Sequence, residues 1–162
     1  QVRRLTHSGW VAGIVRGAPD GKRIAYLSHD QNGTPQATLI DSDGSDRHED
    51  LAKHPKVVTA LDSGASDLRW HPDGNWLFCL SGGNIVAVYV GEGDCFGKML
   101  WLSHDKMNRA ELVVSPDGNQ LAYVSRPELR DEKGKDLKDV SGKYFRQIYV
   151  MTMDIEKMRN AI

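Results

Sequence analysis

The sequence predicts an all-β fold: a partial β-propeller of three consecutive four-stranded antiparallel blades, open rather than closed into a ring. Three observations carry this. A strand, Pro-Asp-Gly turn, strand unit occurs three times without gaps, with Pro19, Pro72 and Pro116 standing 53 and then 44 residues apart; propeller blades recur at about 40–45 residues. The strand after each turn is a short, nearly continuous apolar run, as a strand buried on both faces requires. A further strand pattern follows each of these hairpins at a similar distance.

The three copies are Val15 to Ser28, Leu68 to Ser81 and Leu112 to Ser125. In each, proline presets φ for the turn, aspartate caps it locally and glycine accepts φ > 0. The apolar second strands are Ile24 to Leu27, Leu77 to Leu80 and Leu121 to Val124. Third strands are expected at Gln36 to Ile40, Asn84 to Val90 and Arg146 to Met151, and fourth strands around Arg47 to Leu51 and Lys98 to Leu102. The longer first interval is assigned to a loop from Lys53 to Ser66, and the third copy stops before a clear fourth strand. Val2 to His7 matches Leu100 to His104 in position and character, so it reads as the outer strand of a preceding blade. The expected organisation is one partial propeller domain over 1–162: an outer strand at 1–8, then blades at 9–54, 55–104 and 105–162, with a long charged loop at 126–143.

The pattern Ser115-Pro116-Asp117-Gly118, then Leu121-Ala122-Tyr123, then Gln147 to Met151 with Asp154, resembles the TolB-type, WD-like propeller repeat, and the Leu5-Thr6-His7 ending fits it. Blade order and spacing also resemble, more loosely, the C-terminal part of oligogalacturonate-lyase-like propellers. The first resemblance implies a ligand- or protein-binding module, with export to the periplasm. The second implies a polysaccharide lyase holding manganese or zinc, though the His-x-His pairing expected there is missing. A third implied role is the gating propeller of a serine peptidase.

Bulk properties exclude several classes. The 162 residues suit one domain. A net charge of −1 gives no electrostatic case for nucleic acid or an anionic membrane. The longest apolar run, Ile85 to Val90, is far short of the ~20 residues that span a bilayer. No basic-then-apolar leader opens the sequence. Cys79 and Cys95 form neither a C-x-x-C pair nor a disulfide framework. Cys79 takes the place of Tyr26 and Tyr123, so it reads as a packed thiol.

Propellers have 4–8 blades, and each repeat buries its faces only against neighbours. The expected partners are therefore further blades, from the same longer chain or from a second copy, besides a protein or oligosaccharide ligand. In the two-copy case residues 3–7 would complete the partner's last blade.

The candidate chemistry is sparse. Arg16 and Arg69 fall at equivalent places on two inner strands, where a guanidinium can grip a carboxylate through two hydrogen bonds or pair with Asp67 or Glu111. His7, His54 and His104 follow outer strands and His29 opens a loop on the same side, so imidazoles could line one rim and bind a divalent metal. His7, His54 and His104 are the metal candidates, with Arg16, Arg69 and His29 the ligand candidates. Asp41 to Asp46 has the glycine of a calcium loop in the wrong place and reads as a turn. Gly91 to Gly97 lacks the spacing and following helix of a dinucleotide loop. No G-x-S-x-G elbow occurs, and Asn32-Gly33-Thr34 is a glycosylation sequon. The charged stretch 126–143 departs most from the repeat; it is expected to be either a solvated loop or a lid that docks a partner.

Overall fold

A computed structural model describes residues 1–7, 10–105 and 107–162. It is a row of three antiparallel sheets. The first holds β1 (Val11–Gly17), β2 (Arg23–His29), β3 (Pro35–Asp41) and β4 (Lys56–Val57). The second holds β5 (Ser66–Trp70), β6 (Trp76–Ser81), β7 (Asn84–Tyr89) and β8 (Met99–Trp101). The third holds β9 (Arg109–Val114), β10 (Gln120–Ser125) and β11 (Gln147–Thr152), followed by the helix α1 (Ile155–Asn160). The expected boundary between residues 8 and 9 falls outside the described residues.

The repeat positions the blades as the sequence predicts. Each Pro-Asp-Gly turn joins the first and second strands of a sheet, and Gly21, Gly74 and Gly118 all take positive φ there. Residues directly paired across strands share a face. On blade 1 that rule puts Ala25 beside Leu39 and Leu27 beside Ala37; on blade 2 it puts Phe78 beside Ala87 and Leu80 beside Ile85. The blade 1 residues pack into one core with Leu68, Leu77, Cys79, Val86 and Val88. The blade 2 residues pack into a second core with Leu112, Leu121 and Tyr123. The hydrophobic interior therefore lies between sheets, one core per junction. β1 lies against β5 and β5 against β9, so the first strand of each sheet is the innermost.

Three differences from the sequence reading have physical causes. The fourth strand of blade 1 is Lys56–Val57, paired with Thr38 and Leu39, and not Arg47 to Leu51. Residues 51–53 instead form a 3-10 turn whose N-cap, Asp50, accepts a hydrogen bond from the Ala52 amide. The run Arg47-His48-Glu49-Asp50 has no apolar side chain to bury, whereas Val58 and Leu61 do. Within the supposed loop, buried Gln36 accepts from the Thr59 hydroxyl (2.8 Å) and the Leu61 amide (3.0 Å) and donates to the Leu61 carbonyl (2.9 Å). Residues 1–7 carry no strand, and no ladder pairs with them among the described residues. They are held by Arg3 donating to the Ser42 carbonyl (3.0 Å) and by His7 on Asp46. The charged stretch after β10 is ordered into two successive tight turns, bridged by Arg130 with Asp136 and Lys138 with Tyr144.

Candidate functional site

The inner strands carry the most distinctive local geometry. Ile14, Asp67 and Glu111 have φ of 46°, 50° and 59°, left-handed values that non-glycine residues rarely adopt. They fall at one repeat position, immediately before Val15, Leu68 and Leu112. At that position each inner strand slips register against its neighbour, the signature of a β-bulge. A bulge re-aims the side chains beside it. Asp67 Oδ2 accepts from the Leu112 amide of the next blade (2.6 Å), while its Oδ1 pairs with Arg69 (2.7 Å).

Arg16 and Arg69 sit two residues after these bulges in matching poses. Arg16 Nη1 donates to the Val15 carbonyl (3.0 Å), and Arg69 Nη1 donates to the Leu68 carbonyl (2.7 Å). Their electrostatics differ. Arg69 is neutralised by Asp67, but blade 1 has Ile14 at Asp67's place, and among the described residues no carboxylate pairs with Arg16. The Arg16 backbone is pinned, its carbonyl accepting from the Trp70 indole (3.0 Å). The two predicted arginines thus occupy equivalent places on adjacent inner strands, one of them with its charge unmatched.

The histidines do not converge. His7 Nδ1 lies 2.8 Å from Asp46 and its amide donates to the same carboxylate. His54 bonds through Nε2 to the His48 carbonyl, and His104 lies against the Trp101 ring. His29 ends β2 beside exposed Trp10, whose carbonyl accepts from the His29 amide (2.8 Å). Among the described residues no three histidine, cysteine or acidic side chains form a group able to hold a metal ion. His7 is tied to Asp46 of the first blade, His29 and His54 lie on that blade too, and His104 stands on the second beside Trp101.

At the rim where the second and third strands of each sheet meet, Arg109 is the chief polar anchor. Its guanidinium is buried over the Tyr123 ring; it pairs with Asp105 (2.6 Å) and donates to the Gly83 carbonyl (3.2 Å). The Arg109 hydrogen bond holds the Asp105 carboxyl down at about 2. The two turns between β10 and β11 rise from this rim. In each, one aspartate accepts from the amides two and four residues on: Asp131 from Lys133 and Lys135, Asp139 from Ser141 and Lys143. The Ser141 hydroxyl and the Lys143 amide hold Asp139 at about 2. Asp30 does the same with Asn32 and Thr34 between β2 and β3. A shared Asp-x-x-Gly-x pattern therefore shapes three rim turns, a signal present in the sequence that its reading passed over. Val140 is fully exposed at the tip of the last one. Cys79 lies in the first core, where burial pushes its thiol up to about 12, so it is inert as a nucleophile.

No family model matches the chain. A curated relative, the uncharacterized protein YidR of Escherichia coli, is 30% identical over 116 residues, 71% of this chain and 26% of its own length. The chain thus spans about a quarter of that relative. Among solved structures, a TolB-like protein of Agrobacterium tumefaciens matches with a TM-score of 0.58 at 17% identity, covering 91% of this chain and 61% of that one. TolB of Acinetobacter baumannii matches with a TM-score of 0.53 at 20% identity, covering 88% and 32%. These likenesses carry the TolB-type architecture; the oligogalacturonate-lyase one stays an expectation. Three stacked sheets, one Pro-Asp-Gly turn per blade and inner strands bulged at one repeat position give this chain the fold of the TolB-type β-propellers.

Proposed function

We propose that the chain is a binding module of a larger β-propeller and takes a carboxylate-bearing ligand or protein side chain at Arg16. The observation that carries this is the contrast between two equivalent arginines. Beside Arg69 the blade supplies its own carboxylate at 2.7 Å; beside Arg16 it supplies Ile14, leaving guanidinium donors to an outside acid. Arginine presents a planar fork of donors that matches a carboxylate. Innermost strands bring several blades together around one channel, which suits such a site to ligands entering from the rim. The ordered turns after β10, with Val140 at their tip, supply a contact surface on that rim for a protein partner. The further blades of the propeller come from the same longer chain or from a second copy.

Calorimetric titration with a triglutamate peptide at low salt tests this reading. Binding is expected in the wild-type chain and loss of roughly tenfold or more in affinity in Arg16→Ala, because a charge-assisted hydrogen bond contributes about 1.5–3 kcal/mol. Arg69→Ala, whose charge is already matched, should bind nearly as the wild type does. Equal weakening by both substitutions would refute the assignment.

A further inference from the structure

A cleft of about 740 Å³ opens between blades 1 and 2, at the end of the molecule that carries the Pro-Asp-Gly turns. Pockets that hold small molecules measure about 300–1,000 Å³. Both walls are blades of this chain. Blade 1 supplies the residues flanking Gly21, the end of β3 and the start of β4; blade 2 supplies the residues flanking Gly74 and the connection after β7. Arg23 fixes one wall to the other. Its guanidinium lies over the Trp70 ring and donates to the carbonyls of Gly74 (2.6 Å) and Val90.

The glycine-rich stretch after β7 has a steric reason to be there. A Cβ at Gly91 would run into the Tyr89 hydroxyl and the Asn75 side-chain oxygen. Glycine lets both polar groups stand against the loop while they line the cleft. Tyr89 is buried, and Asn75 and Asp41, a third lining residue, are half-buried. Among the described residues no hydrogen bond engages the Tyr89 hydroxyl, the Asn75 amide group or the Asp41 carboxylate. Polar groups withdrawn from solvent are normally hydrogen-bonded, so three of them on one cleft call for a polar ligand.

Charge narrows its class. Asp20, Asp73 and Glu92 join Asp41 on the lining, and Lys22 and Lys56 join Arg23. With the two signs interleaved, neither an anion nor a cation is drawn in. Carboxylate and amide oxygens beside ammonium and phenol donors match hydroxyl groups, each of which donates and accepts. Phe96 adds an apolar edge. It is 40% exposed, with the Lys56 ammonium 5.9 Å from its ring centroid. An exposed aromatic ring offers a flat apolar surface to the C–H face of a sugar.

We propose that the cleft between blades 1 and 2 binds a neutral oligosaccharide. Its hydroxyls donate to Asp41 and to the Asn75 oxygen and accept from Tyr89 and Lys22, and one sugar ring packs on Phe96. The site is separate from Arg16, which does not line the cleft, and it stands whether or not that arginine takes an acid.

Saturation-transfer NMR of the full chain with maltotriose, cellotriose, chitotriose and mannotriose tests this. At least one of the four should receive magnetisation at its ring protons. Asp41→Ala and Tyr89→Phe, each checked for native circular dichroism, should weaken that trisaccharide roughly fivefold to tenfold, the loss of one hydrogen bond. Phe96→Ala should weaken it by about fivefold through the lost ring contact. Tyr89→Phe removes a single oxygen and keeps the packed ring, so its result stands even if Asp41→Ala fails to fold. No transfer to any of the four sugars overturns the proposal. So does a bound sugar whose affinity is unchanged in Tyr89→Phe and Phe96→Ala, because it then sits elsewhere.

Discussion

Equivalent residues of the repeat are placed in different surroundings, and those surroundings set the cost of changing them. Gly21 and Gly118 occupy the same turn position, with φ of 70° and 76°. A Cβ added at Gly21 meets nothing within 4 Å, whereas at Gly118 it runs into the His71 imidazole. Gly21→Ala should therefore cost about 1–2 kcal/mol, the left-handed backbone alone. Gly118→Ala should cost about 1–3 kcal/mol more, because His71 must leave its bond to the Gly118 carbonyl. Urea unfolding of the two variants measures the difference, and equal costs would contradict the junction at His71. The two thiols differ for the same reason. Ellman's reagent should titrate Cys95, half-buried near the Ile162 carbonyl, in the native chain and reach Cys79 only after unfolding. The sequence anticipated the packed Cys79 from its alignment with Tyr26 and Tyr123. It gave no sign that Ile14, Asp67 and Glu111 share a strained backbone, since bulges arise from pairing between strands and leave no residue signature of their own.

At the scale of elements, legibility followed burial. Third strands were expected within a residue or two of β3, β7 and β11; β7, which lies between two blades, is buried along nearly its whole length. Blade 1's outer strand was misplaced because β4 is only two residues long and its exposed side chains, Lys56 and Val57, carry no periodicity. The stretch after β10 looked shapeless by composition, yet Asp131 and Asp139 organise it locally. Replacing residues 126–146 by the two-glycine turn of blade 2 should leave the thermal midpoint nearly unchanged, since the stretch stands outside both cores. Loss of cooperative melting would show that it is a folding element instead. The Asp105–Arg109 pair ties the β8–β9 connection to the start of β9. Its carboxyl titrates below the usual value, so its contribution is present above pH 3.8 and is lost as pH falls toward about 2. Asp105→Asn should flatten the fall of melting temperature across that window, and high salt should weaken the effect in the wild type.

At the scale of the whole molecule, the residue pattern alone determined that three wedge-shaped sheets would stack side by side. Short, nearly continuous apolar runs mark the strands buried on both faces, and the recurring proline-aspartate-glycine hairpin says where each sheet starts. It also paired Arg16 with Arg69 by simple superposition. What the stacked sheets alone decided was which of those equivalent groups meet a partner. Asp67 finds the next blade's amide and neutralises Arg69, while blade 1 has Ile14 at that place and the candidate histidines join no metal-holding group among the described residues. Spacing along a chain specifies a residue's place within its own blade. Contacts between blades depend on distances across a junction, which no local pattern encodes.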